Sequence, residues 1–446
     1  MLQSTERSKV GMADEGQVPA IALASIAAVN SALSLYFMER ASIRVPVFDM
    51  LEWLRFYGDR AAAGDWFGYL WSPHNEHHIV ITRILLALDV RWFGGEGTAF
   101  VVFGLLALFG MIVATCREIA KSNLSSSCKL AAAAIAVLLL TPAHVVVTIG
   151  MPVLSPYLQT SAFALFSFAL LDGAADADSF SNYRRAAAIV CGWLTAFGVV
   201  AGLVIWPALI WSAWRGKLGW TWIAAFAGAG ILFTALYLRH LAFYSVSITF
   251  SFSQLALSLD YGIRFLALPW SHMPELVWPA RFIGLGVLCL ACFAFLKDGL
   301  SARPVGRLQR LGLGLVVFSL FVAGAAALAR AQVAQEREMP IRYGALVALF
   351  YLGLLLWSLH LLERHWNAPG GLRLRWLLVG TATVWLAQQI VVGTYAAGEA
   401  SRRNDAWARF VAGEWTPDMM QYVFPNREHA EEILADLRRM HVYVGK

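Results

Sequence analysis

Apolar runs of about 18 or more residues recur along nearly the whole chain, and no other feature narrows the fold as much. Wound as a helix, each run is long enough to cross a hydrocarbon core of about 30 Å. A water-soluble core could not hide them all. The composition agrees: 59% of the 446 residues are hydrophobic and 14% are charged, against roughly a quarter charged in ordinary soluble domains. The expected fold class is an all-α integral membrane protein.

Read as helices, the runs predict about eleven spans, near residues 19–38, 97–115, 129–149, 157–172, 186–200, 202–213, 220–238, 279–296, 310–329, 343–361 and 376–396. The fifth and sixth are short and separated only by Gly202, with Pro207 inside the second, so one long kinked helix is the alternative. Connector charge decides between them. With residues 1–18 cytoplasmic, the inner connectors are Arg117 to Lys129, the one ending Arg184–Arg185, Arg215 to Lys217, Lys297 to Arg310 and Glu363 to Arg375. All carry Lys or Arg at their ends, as the positive-inside rule asks. Merging the two short spans would put three basic connectors outside, so eleven is preferred. The membrane domain then covers 19–396, with a first outer loop at 39–96, a further outer segment at 239–278 and an outer tail at 397–446.

The net charge of +6 does not indicate nucleic acid, because the basic residues are dispersed in short connectors rather than gathered on one face. Cys116, Cys128, Cys191, Cys289 and Cys292 lie within or at the ends of apolar runs and imply no disulfide framework. The run Val18 to Met38 is too long for the core of a cleaved signal and reads as an uncleaved anchor, a cleaved leader being the alternative. No phosphate-binding glycine loop is present, so ATP-driven chemistry is unsupported. In the segment 239–278, FYSVSITFSFS at 243–253 alternates with period two and predicts an extended piece. QLALSLDYGIRFLALPW at 254–270 predicts a helix lying in the interface, with two further spans as the alternative. In the tail, EHAEEILADLRRM at 428–440 predicts a short soluble helix packed on the outer surface.

The most informative polar stretch is VFDMLEWLRFYGDRAAAGDWFGYLWSPHNEHHIV, residues 47–80. It carries Asp49, Glu52, Asp59, Asp65 and Glu76 among tryptophans of the kind found at membrane interfaces. On a helix Asp49 and Glu52 share one face, with Trp53 beside them. A helix starting near Pro73 would point His74, His77 and His78 one way, with Asn75 and Glu76 at its mouth. The pattern is not that of a metalloprotease helix. With Asp49 and Glu52 near the histidines, a divalent cation held by oxygen and imidazole ligands is a candidate cofactor.

This stretch also resembles a known family. A first span, an acid soon after it in VFDMLEW, aromatics in GDWFGYLW and a His-Pro-type element in SPHNEHHIVITRILLALDVRWFGG look like the entry of GT-C glycosyltransferases. These polytopic enzymes use polyprenyl-phosphate-linked sugars, as protein mannosyltransferases and lipid A aminoarabinose transferases do. PIRYGALVALFYLGLL at 340–355 is similar to the Arg-Tyr that opens a late span in several of them. The matched motifs cover about fifty residues. The usual His-Pro-Pro is replaced here by Pro-His-Asn-Glu-His-His, which leaves subfamily and acceptor open.

The resemblance implies a bacterial inner-membrane enzyme moving a sugar from a polyprenyl-phosphate donor to an extracytoplasmic glycan, lipid or protein acceptor. Asp49 is the expected general base, with Glu52 as its substitute. The departing lipid phosphate needs fixed positive donors, a role that suits arginine. Arg342 is the first choice, with Arg330 and Arg337 in the same connector, Tyr343 packing on lipid or sugar, and His74, Asn75, Glu76, His77 and His78 as further substrate contacts. Arg239, His240, Arg264 and His272 are lesser outer-face candidates. The rival classes are a lipid-linked-glycan flippase or other secondary transporter, and a non-catalytic envelope scaffold. The ionisable residues gather outside and no repeat is visible, which favours the enzyme.

Overall fold

The computed structural model describes residues 2–43, 45–173, 180–239, 251–271, 276–301, 305–331, 339–368, 370–417 and 419–439. Among them the regular elements are helical, apart from an isolated two-residue bridge between His74 and His77. The chain opens with α1 (Leu2–Arg40). Three shorter helices, α2 (Asp49–Phe56), α3 (Trp66–Trp71) and α4 (Val80–Phe93), fill the stretch before α5 (Thr98–Ala120). Then follow α6 (Ser126–Leu140), α7 (Ala143–Val146), α8 (Ser155–Gly173), α9 (Ser181–Ala196), α10 (Ile205–Arg215) and α11 (Trp220–Leu238). The last part holds α12 (Phe252–Leu266), α13 (Leu268–Ser271), α14 (Val277–Ala294), α15 (Arg307–Arg330), α16 (Gly344–Trp366) and α17 (Gly371–Val411), then α18 (Met419–Tyr422) and α19 (Arg427–Arg439).

Among the described residues eight helices are long and apolar enough to cross a membrane, or nine if the bent pair α6–α7 forms one span. The protein is therefore an all-α, multi-pass membrane protein. The two shortest expected spans account for the difference from eleven: α9 has 16 residues, and Val200–Arg215 is a short apolar helix. Hydrogen bonds tie the ends of both to neighbouring elements. At one end Arg184 Nη1 donates to the Gly173 carbonyl (2.8 Å), and Arg215 donates to the carbonyls of Asp298 (2.8 Å) and Ser301 (2.7 Å). At the other, where α9 turns back, the Val200 amide donates to His77 Nδ1 (3.1 Å).

α6 and α7 meet at a 49° bend. Pro142 has no N–H to continue the helix, and the backbone groups around it find side-chain partners. Asn30 Nδ2 and Ser34 Oγ donate to the Thr141 carbonyl (2.8 and 2.7 Å), and the Ala143 amide donates to Gln389 Oε1 (2.7 Å). Gln388 donates to the Pro269 carbonyl. Both glutamines of α17 thus bridge helices rather than face a ligand.

α15 and α16 form the centre of the bundle, 72% and 67% of their apolar windows being buried. They approach closely where Gly312 meets Gly353: a Cβ on Gly312 would stand 2.5 Å from the Gly353 carbonyl oxygen. Small residues at the crossing allow this backbone contact. At one end of the bundle the acids are closed off by arginines. Glu118 is ion-paired with Arg307 Nη2 (2.7 Å), and Asp172 faces Arg310 Nε (3.0 Å) and Arg307 Nε (3.4 Å), with both carboxylates buried. Gly16, at the start of the apolar part of α1, packs at this same end against Ser127 and Trp366.

At the opposite end a second core stands apart from the bundle's own. Met50, Leu51, Trp53 and Leu54 of α2 pack with Leu85 and Leu86 of α4, Trp407 and Phe410 of α17, and Ile433 and Leu437 of α19. α17 reaches it because the helix does not stop near 396 but continues to Val411, 41 residues in all. The expected tail helix is present as α19. α12 has one apolar exposed side (Leu255, Leu259) and one buried side carrying Tyr261, Arg264 and Phe265. Most of the extended piece expected at 243–253 lies outside the described residues, as do His240 and His272. Arg264 pairs with Asp260 (2.9 Å).

Candidate functional site

Asp49 begins α2, preceded by Phe48 in the left-handed region (φ 49°), where Phe48 N donates to the Val423 carbonyl (3.0 Å). α2 turns its apolar face to the second core and leaves Asp49 and Glu52, one turn apart, on its open side. The predicted shared face is therefore present. The predicted helix from Pro73 is not: α4 begins only at Val80. Residues 74–77 instead form a tight turn in which the His74 and His77 backbones exchange hydrogen bonds (2.8 and 2.9 Å), with Asn75 at φ 50°. Asparagine tolerates that left-handed conformation, and it ends the helix the histidine spacing suggested.

The turn sends the three histidines to different neighbours. His74 Nε2 lies 3.7 Å from Asp49 Oδ2, with the imidazole edge-on to Trp53 (centroids 5.7 Å). His77 accepts from Val200 N through Nδ1, leaving the Nε2 side 3.9 Å from Glu76. His78 is fully buried, stacked on Trp71 (4.9 Å) and edge-on to Tyr237 (4.7 Å), with both ring nitrogens against carbonyl oxygens. It packs the platform and faces no opening.

A hollow of about 410 Å³ opens at this end of the molecule, lined by Phe48, Asp49, Glu52, His74, Asn75, Phe424 and Pro425. Phe424 and Pro425 belong to the tail, and Glu52 hydrogen-bonds His429 of α19. His429 in turn lies 3.3 Å from Arg55. Sequence reasoning missed these tail residues because nothing local joins positions near 50 to positions near 425. The amphipathic pattern of α19 was the only available signal that the tail docks somewhere.

Of the expected cations, Arg330 is engaged by Glu76 (2.8 Å), and Arg337 lies outside the described residues. Arg342 sits in a short turn, Ile341–Tyr343, that enters α16. Its guanidinium lies over the Tyr343 ring (5.4 Å), and its buried Nε has no hydrogen-bond partner. Tyr343 is itself buried between Tyr157 (5.5 Å) and Phe265 (5.0 Å). Arg342 does not line the hollow, but its charge reaches Asp49. His74 first, with Arg342 adding to it, holds the Asp49 carboxyl below the usual carboxylate range against the opposing effect of burial. Burial brings His77 down to about 4, so that imidazole is neutral at ordinary pH.

The divalent cation considered above does not fit. Among the described residues no three His, Cys, Asp or Glu side chains are grouped to hold a metal ion. Near Asp49 only His74 is within 4 Å, while Glu52 is taken by His429.

The fold and this site define a multi-pass helical membrane protein with an ionised carboxylate at the rim of an open hollow. Comparison with protein-family models, curated proteins and solved structures finds no match.

Proposed function

We propose that the chain is a GT-C-type glycosyltransferase that moves a sugar from a polyprenyl-phosphate donor to an extracytoplasmic glycan, lipid or protein acceptor. One observation carries this reading: Asp49, at the rim of the hollow, is kept ionised by His74 and lies within the field of Arg342, which comes from a distant part of the chain. A deprotonated carboxylate can accept the proton of an attacking hydroxyl or amine. The acceptor atom then bonds to the anomeric carbon as the bond from that carbon to the phosphate oxygen breaks. The bonding pair leaves on the polyprenyl phosphate, where Arg342 meets the growing charge. Displacement by one base predicts inversion at the anomeric carbon.

In this reading the chain makes eleven passes, α9 and α10 forming a short helical pair between the two ends. The end bearing Glu118, Asp172 and the basic connectors is cytoplasmic, because positive connectors stay inside. Asp49 and the tail then face outward from a bacterial inner membrane. The test is purified protein with a panel of radiolabelled polyprenyl-phosphate sugars, wild type beside Asp49→Asn and Arg342→Ala. Transfer by the wild type alone supports the proposal, and failure to release lipid phosphate from any donor sinks it.

A second reading, a lipid-linked-glycan flippase or other secondary transporter, draws on the broken helix at Thr141–Pro142, since transporters bind at such breaks. Here, however, Asn30, Ser34 and Gln389 already occupy the exposed backbone groups. Donor turnover separates the two readings, because a transporter moves its lipid intact.

A further inference from the structure

The seven residues lining the hollow include two carboxylates, one imidazole and one amide, but no lysine or arginine. Arg55 of α2 and His429 of the tail face Glu52 and Glu432. The lining carries two carboxylates to one imidazole, which already faces Asp49, and the Arg403 guanidinium lies over the Phe48 ring (5.1 Å), so a phosphate here would stand mainly against like charge. Like charges at contact distance repel, and solvent screening reduces that cost without abolishing it. The hollow is thus a poor place for the donor's headgroup, whose charge belongs on the Arg342 side of Asp49. Its chemistry suits an uncharged sugar: Asp49 can accept hydrogen bonds from hydroxyls, Asn75 can donate and accept, and Phe48 and Phe424 offer apolar surface to the ring's C–H face.

We propose that this hollow is the acceptor subsite and that it selects an uncharged sugar ring over a uronate, with Glu52 as the charge filter and Phe424 of the tail as the ring platform. This rests on the glycosyltransferase reading for the word acceptor, but the selectivity can be measured without turnover. The experiment is a saturation-transfer NMR titration of the full chain in nanodiscs, comparing methyl hexosides with the matching methyl hexuronides. The expected result is binding of hexosides about tenfold tighter than of hexuronides, the size of one screened charge contact. Glu52→Gln should shrink that gap, chiefly by tightening hexuronide binding. Phe424→Leu, which keeps apolar volume but removes the ring, should weaken every hexoside by up to about tenfold. Asn75→Gly keeps the left-handed turn and removes only the amide, so it checks the site independently of the tail.

Equal or tighter hexuronide binding, no hexoside binding, or full binding after both Phe424→Leu and Asn75→Gly would overturn the proposal. Its failure is distinguishable from that of the wider reading. Selective hexoside binding without cleavage of any donor removes the transferase and keeps the sugar site. Transfer with unselective binding does the reverse.

Discussion

The two ends of the helix bundle handle carboxylates in opposite ways. Glu118 and Asp172 are buried and closed off by Arg307 and Arg310 at 2.7–3.4 Å. Asp49 has about half its side chain exposed, its nearest basic neighbour is an imidazole at 3.7 Å, and it borders a hollow. The same residue type is consumed by structure at one end and left available at the other. Burial with close ion pairing marks a joint between helices, whereas exposure at the rim of a hollow marks a place where chemistry can occur. Arginines divide the same way: Arg310 is held at Asp172, and Arg342 keeps a buried Nε without a partner.

Exchanging the two kinds of residue is the strongest way to break the comparison. Asp49→Asn should lower transfer by about 10³-fold, within the range for losing a general base, while thermal unfolding of the purified protein stays near wild type. Arg310→Ala should do the opposite, destabilising by about 3–5 kcal/mol because a buried carboxylate loses a partner, with turnover per folded molecule little changed. Arg342→Ala comes next: about 10²–10³-fold in the rate of lipid phosphate release, the usual cost of removing a fixed donor to developing charge. A folded variant with wild-type turnover would remove Arg342 from the site.

A smaller effect is expected at the helix break. Gln389→Leu leaves the Ala143 amide without its acceptor and should cost about 1–3 kcal/mol of stability, read by unfolding in detergent. The subtlest effect is in pH. Asp49 titrates below an ordinary carboxyl, so its ionised form contributes stability that is present above the unfolded-state pKa and is lost as pH falls through the lowered native value. His74→Gln removes the largest cause of that lowering. The acid limb of kcat/KM against pH should therefore move upward, and an unmoved limb would separate His74 from the titration of Asp49.

Much of the bundle was legible because a bilayer imposes length and hydropathy on every crossing, and each expected run is helical in the structure. The run at 129–149 hid a break, although Pro142 was in plain view and could have announced it. In the site, the shared face of Asp49 and Glu52 followed from helical spacing, but the histidine turn did not. Asn75 favours turns, and SPHN carries that local signal against the helical spacing of the histidines. The docking of Phe424 and His429 near Asp49 was beyond reach, since it depends on α17 and α19 folding onto α2 and not on any local pattern. That Arg330 is engaged was not legible in the sequence, because its partner Glu76 lies 254 positions away in the chain.

One helix joins these regions mechanically. At 1.5 Å per residue, the 41 residues of α17 make a rod about 61 Å long, roughly twice the hydrocarbon thickness. Its lower half is gripped by lipid and neighbouring helices, and its upper half carries the roof from which Phe424 hangs. Such a rod is a lever. A few degrees of tilt at its lower half would displace its far end by several times as much as a short helix of the same tilt, which is why the packing of that half matters to a roof so far along the rod.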